Sequence, residues 1–185
     1  MPPPITGDAA ATRAALLDAA REAFTEHGYD HAGVREIAER AGVTAALVNR
    51  YFGSKLGLLA EVVADSFTVG NLLVGDRSTL GDRLARYLVR RRTSAFAPTL
   101  LLLRSASSPD AGGVLRAAVA AQAVQPLAEW LGGDDARERA GLVMATLFGF
   151  ALSRDVLHTG PLSDGDGDVL VAHLGPTLQR LLDGH

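Results

Sequence analysis

Residues 34–55 read Val34-Arg-Glu-Ile-Ala-Glu-Arg-Ala-Gly-Val-Thr-Ala-Ala-Leu-Val-Asn-Arg-Tyr-Phe-Gly-Ser-Lys55, and this stretch decides the fold. Ile37-Ala38, then Gly42, then Val48 and Tyr51 have the spacing of two short helices joined by a tight turn. Ala38 is small where the helices must cross closely, and Gly42 permits the left-handed backbone of the turn. Val43, Leu47, Val48 and Tyr51 fall on one side of the second helix, where they can pack on Leu16, Phe24 and Ile37. Ala45, Ala46, Asn49 and Arg50 fall on the opposite side, free to enter a groove. Thr44 takes the N-cap position, and helix N-termini suit phosphates. In a major groove Asn49 can pair with adenine and Arg50 with guanine or a phosphate, while Ala45 and Ala46 can meet thymine methyls.

Outward from this stretch, glycine and proline cut the chain into helix-sized pieces dominated by alanine and leucine, so the expected fold is all-α with about nine helices. Leu16, Ala20 and Phe24 give the first helix, about Ala10 to His27, one apolar face, and Gly28 stops it. Ser54 caps a fourth helix beginning at Lys55. Further helices are expected over Leu80 to Ala97, Pro98 to Ser105, Pro109 to Leu131, Asp135 to His158 and Gly167 to Asp183. Pro126 should kink the helix that contains it or remove one hydrogen bond. The expected division is a disordered tail at 1–9, a helix-turn-helix domain at 10–57 and a larger ligand-binding and dimerisation domain at 58–185.

The chain has 185 residues, a net charge of −3 and no cysteine, which excludes disulfides, thiolate metal sites and cysteine nucleophiles. The five histidines form no metal-ligand spacing, and Asp164-Gly-Asp-Gly-Asp168 lacks the glycine and glutamate that a calcium loop needs further on. No nucleophile elbow or phosphate loop is present, so nothing points to an enzyme or a cofactor. The longest uncharged run, Ala140 to Ser153, is too short to span a bilayer, and a cytoplasmic location without membrane association is expected. Charge is uneven: residues 31–58 carry a net +2 and residues 1–30 a net −3. Lysine occurs once, at Lys55, against seventeen arginines. Arg83, Arg86 and Arg90 form a stripe at helical spacing that reads as a solvated face or, alternatively, as one or two arginines turned inward to bind an anionic ligand or pair with acids.

Over residues 12–63 the sequence resembles the tetracycline-repressor family. The resemblance rests on Val34 to Thr44, on Leu47 to Lys55 with its Phe52-Gly-Ser-Lys55 ending, and on Leu17-Asp-Ala-Ala-Arg-Glu-Ala-Phe-Thr-Glu-His-Gly-Tyr29 as the first helix. The stretches Gly149 to Arg154 and Pro176 to Leu182 also resemble C-terminal halves of that family. The resemblance implies a dimeric, ligand-responsive repressor of double-stranded operator DNA, with Thr44 to Arg50 as the recognition helix. Tyr51 and Lys55 match family positions that hold phosphates. Many members place a hydroxyl residue at the start of the second helix; Ala32-Gly33 stands here, so a phosphate contact at Gly33 and Val34 would come from backbone N–H groups. Many members carry tyrosine where Asn49 stands, which implies a different operator sequence.

The ligand-site expectation comes from position on the helices. Phe67, Leu84, Tyr87, Leu88, Arg91, Leu103, Val119, Gln122, Ala123, Met144 and Phe148 are mostly apolar with one or two polar groups, which suits a hydrophobic or amphipathic effector. The helix after Asp135 is apolar on two sides and so needs two partners. Leu142, Ala145, Thr146, Gly149 and Ser153, joined by Leu170, His173, Leu174, Leu178 and Leu181, are expected to meet the same helices of a second subunit. Two other readings stand beside the repressor: a helical small-molecule-binding protein or enzyme that has lost DNA binding, and a structural dimerisation module.

Overall fold

Apolar residues at three- and four-residue spacing, glycine stops and side-chain caps build a series of helices. The computed structural model describes residues 9–66, 73–90 and 97–184, and no strand occurs among them. The helices are α1 (Ala9–His31), α2 (Val34–Arg40), α3 (Ala45–Phe52), α4 (Lys55–Ser66), α5 (Leu80–Arg90) and α6 (Ala97–Ser105). They continue with α7 (Ala111–Val119), α8 (Gln125–Leu131), α9 (Ala136–Ala151), α10 (Gly160–Ser163) and α11 (Gly167–Asp183). The tail expected at 1–9 lies outside the described residues except for Ala9, which opens α1.

The helix count differs from the sequence expectation for local reasons. The helix expected over 109–131 is α7 and α8 joined by a π-helical turn, Ala120–Val124, in which the Gln125 N–H reaches the Ala120 carbonyl. Pro126 cannot donate a hydrogen bond, and the backbone widens by one residue just ahead of it. The helix expected to reach His158 is α9 followed by a second π turn, Leu152–Val156. The single turn α10 adds one more element. The first helix does not end at His27: Gly28 bends it, with φ 74° and ψ 169°, and helical structure resumes to His31.

The chain forms two compact units, Met1–Asp65 with Leu101–Leu115, and Ser66–Leu100 with Arg116–His185. The first unit takes in α4 up to Asp65 together with most of α6. In that unit Leu16, Ala20 and Phe24 of α1, Ile37 of α2, Val48 of α3 and Leu58, Leu59, Val62 and Val63 of α4 are fully buried. Burying each of the larger ones contributes roughly 1.5–3 kcal/mol. Ion pairs run along its surface: Arg13 to Glu61, Arg21 to Asp65 at 2.6 Å, and Arg40 to Glu26 and Glu36 at 2.7 and 2.6 Å.

The second unit is held differently. Leu80, Leu84 and Val89 of α5, Leu127 and Leu131 of α8, Val143 of α9 and Leu178 and Leu182 of α11 form one apolar core. Gly81 on α5 lies directly against the backbone of Gly175 and Gln179 on α11, and its N–H donates to Gln179 Oε1 at 2.9 Å. Arg77 and Arg139 each donate to the Leu182 carbonyl, at 3.2 and 2.8 Å, and so satisfy the open end of α11. No described helix is long and apolar enough to cross a membrane.

Candidate nucleic-acid interface

The helix-turn-helix forms where the sequence places it. Gly42 adopts φ 69° in the turn, and the N–H groups of Ala41, Gly42 and Val43 bond to the carbonyls of Ile37, Glu39 and Ala38 at 3.1, 3.0 and 2.9 Å. At the entrance to α2, Glu36 accepts a 3.4 Å hydrogen bond from the Gly33 N–H. At the entrance to α3, Thr44 sits at the N-cap with extended backbone, but its hydroxyl makes no capping bond and remains exposed. Ser54 does cap α4, accepting from the Gly57 N–H at 3.0 Å.

The buried edge of α3 is rotated slightly from the sequence expectation. Val48 and Phe52, one turn apart, are the buried pair, and Arg13 stacks over the Phe52 ring at 5.3 Å. Val43, Leu47 and Tyr51, expected to face inward, are only partly buried. The outer edge is as expected: Ala46, Asn49 and Arg50 are exposed, with Ala45 partly so. Gly33 is exposed and Val34 partly exposed at the start of α2.

Electrostatics narrow the basic patch. Arg40 is engaged by the carboxylates of Glu26 and Glu36, which hold its guanidinium more basic than usual, and its hydrogen bond in turn holds the Glu26 carboxyl below the ordinary glutamate range. It is therefore tied to α1 and to its own helix. Arg35 and Arg50 are exposed, and among the described residues neither pairs with an acid. Lys55 opens α4, where a cation meets the positive end of the helix dipole. Its ammonium lies 4.4 Å above the centre of the Tyr29 ring. Burial pushes the Lys55 amine to lower basicity, and the nearby Asp30 charge works the other way. The negative ring face and the Asp30 charge thus offset an unfavourable location.

The expected dimer residues divide. Leu142, Ala145, Gly149 and His173 are exposed, Leu142 by 54%, and Thr146 and Ser153 are partly exposed. Leu178 is fully buried in the core of its own unit, which removes it from any outward face. Leu170, Leu174 and Leu181 pack against that same core. The apolar stripe of α11 faces inward because α5 and α9 already cover it.

The expected ligand residues are scattered. Leu84, Ala123 and Met144 are buried, Leu88, Val119, Gln122 and Phe148 are partly buried, and Tyr87 is exposed. Leu103 is 50% exposed and belongs to the first unit; Phe67 and Arg91 lie outside the described residues. A groove of about 470 Å³ runs beside α5 and α11, lined by Asp82, Gly175, Gln179 and Arg180 among others, and no residue of the expected set lines it. Sequence reasoning also missed Phe52 as core, Tyr29 as the seat of Lys55, and Ser105 and Ser108, whose side chains bond to the end of α1. Two serines after an apolar run were the only trace of the last pair.

Comparison with known proteins follows the same division. Residues 16–62 match the family model for bacterial regulatory proteins of the tetR family. Residues 78–182 match the model for the tetracyclin repressor-like C-terminal domain. The HTH-type transcriptional activator FasR of Mycolicibacterium smegmatis is 44% identical over 68 residues, 37% of this chain and 30% of that protein. The HTH-type transcriptional regulator BetI of Agrobacterium fabrum is 47% identical over 51 residues, 28% of this chain and 25% of that protein. The matches thus span less than a third of either relative. A crystal structure of a TetR-family regulator from Streptomyces coelicolor A3 is 30% identical, covers 94% of this chain and 95% of its own, and superposes with a TM-score of 0.62.

Proposed function

The chain belongs to the tetracycline-repressor family of DNA-binding transcriptional regulators, and from that premise we propose that it is a cytoplasmic, homodimeric repressor released from its operator by a small apolar or amphipathic ligand. It acts by binding and not by catalysis. One observation carries the DNA-binding part: a buried Val48–Phe52 ridge seats α3 while Ala46, Asn49 and Arg50 stay exposed along its other edge. That edge enters the major groove, with Asn49 and Arg50 on base edges or phosphates and the alanines against thymine methyls. Thr44, Tyr51, Lys55 and the backbone at Gly33 and Val34 hold phosphates around it. Two copies read half-sites about 34–36 Å apart.

Release is linkage: the ligand favours a state in which the two recognition helices no longer match successive grooves, and it acts only through its differential affinity for the two states. The C-terminal family match supports a ligand-binding role for the second unit. Repression needs nothing beyond a dimer that binds DNA across a promoter.

The test is a mobility shift with the intergenic DNA upstream of the chain's own gene. Asn49→Ala and Arg50→Ala should each weaken specific binding by about 1–3 kcal/mol, roughly 5- to 150-fold, with an unchanged melting temperature. Undiminished affinity in both variants would show that another surface reads the bases.

A further inference from the structure

The bend in α1 is clamped from a segment far along the sequence. Gly28 interrupts the regular helical hydrogen-bond ladder, so carbonyls before it and the N–H after it need new partners. Arg104 on α6 supplies the first set: its Nη1 donates to the Thr25 carbonyl at 2.6 Å and to the Glu26 carbonyl. Ser105 supplies the second: its buried Oγ accepts from the Tyr29 N–H at 3.0 Å. Ser108 then donates to Asp30 Oδ1 at 2.7 Å. The fit is close, because a Cβ on Gly28 would stand 2.6 Å from the Arg104 carbonyl oxygen. All of these groups lie within the first compact unit.

The residue held at the centre of this clamp is Tyr29, and its ring carries the Lys55 ammonium. The ring is buried and also makes a tilted contact with Phe24, centroids 6.0 Å apart. Among the described residues no carboxylate forms a salt bridge with Lys55, and the ring face is its seat. We infer that Arg104 and Ser105 are positioning residues for operator binding: by clamping the Gly28 bend they set the Tyr29 ring beneath Lys55 and so aim that ammonium at the DNA backbone. The inference rests on the phosphate role proposed for Lys55. It places part of the determinant of DNA affinity on α6, outside the helix-turn-helix. It also makes α6 a point where any displacement is felt at a phosphate contact and not at a base.

The experiment uses the full chain and a duplex that the wild-type protein enriches from a random-sequence pool. Dissociation constants are measured across a NaCl series for wild type, Lys55→Gln, Ser105→Ala and the double variant. Lys55→Gln and Ser105→Ala should each weaken binding about tenfold, uniformly over duplex sequences, and lower the salt slope by about one per subunit. The double variant should bind no worse than Lys55→Gln alone, because the clamp acts through that lysine. Tyr29→Phe should bind as wild type and Tyr29→Leu as Lys55→Gln; this pair decides the matter if Ser105→Ala does not fold. A wild-type salt slope in Ser105→Ala, or losses that add in the double variant, overturns the clamp while leaving the lysine's role intact. A wild-type slope in Lys55→Gln overturns both, and enrichment of no duplex overturns the DNA-binding reading itself.

Discussion

Two of the exposed faces among the described residues are opposites in chemistry. On α3 the open edge is Ala46, Asn49 and Arg50, small or polar and content in water. On α9 it includes Leu142, Ala145 and Gly149, with Leu142 54% exposed. An open polar edge awaits a partner that supplies hydrogen bonds and charge; an open apolar edge gains by burial alone. The internal seams differ in the same way. Both units carry surface ion pairs, which salt and acid weaken, but the second adds backbone against backbone at Gly81, which they do not.

The hardest blow to this contrast comes from α9. Leu142→Asp should shift the sedimenting species from dimer to monomer and reduce operator affinity about a hundredfold or more, since avidity across two half-sites is lost. The helical signal should remain. A variant that stays dimeric would mean that the apolar edge is not the subunit contact. A smaller effect tests how each unit begins its helices. Ser54→Ala and Asp166→Ala each remove a side-chain cap, on α4 and α11, and each should cost about 1 kcal/mol in urea unfolding. Only Ser54→Ala should also weaken DNA binding, because Lys55 follows it. The gentlest test is acid. Glu26 has its folded-state pKa held below the ordinary 4.5, chiefly by its hydrogen bond from Arg40, so it stabilises the fold above that value and loses the contribution as pH falls through the depressed one. The small gap in urea midpoint between wild type and Glu26→Gln at pH 7 should close at pH 3. A gap that persists would remove Glu26–Arg40 from the seam.

The two regions also differed in how far the sequence could be read. The helix-turn-helix is specified by neighbours: Gly42 at φ 69°, Ala38 at the crossing, and Ser54 as a cap all act within a few residues of where they stand. Its one misreading was of phase. Leu47 with Tyr51 and Val48 with Phe52 are both i,i+4 pairs, and which pair turns inward depends on the core they meet, including Arg13 over Phe52. The clamp on Gly28 was invisible because Ser105 is 76 residues from Tyr29. On α11 the leucine stripe did reveal a buried side, but a stripe does not say which surface buries it. Leu178 proved to be covered by its own unit. The effector residues were the least legible, since an apolar residue lining a ligand and one filling a core have the same chemistry.

The seat of Lys55 has a practical corollary. This is the chain's sole ε-amine, and its burial leaves more of it unprotonated, hence more reactive, than a solvated lysine at the same alkaline pH. An acylating reagent therefore has one internal target, set beside the reading helix, and the mass of a single tryptic fragment becomes a gauge of whether nucleic acid is shielding it.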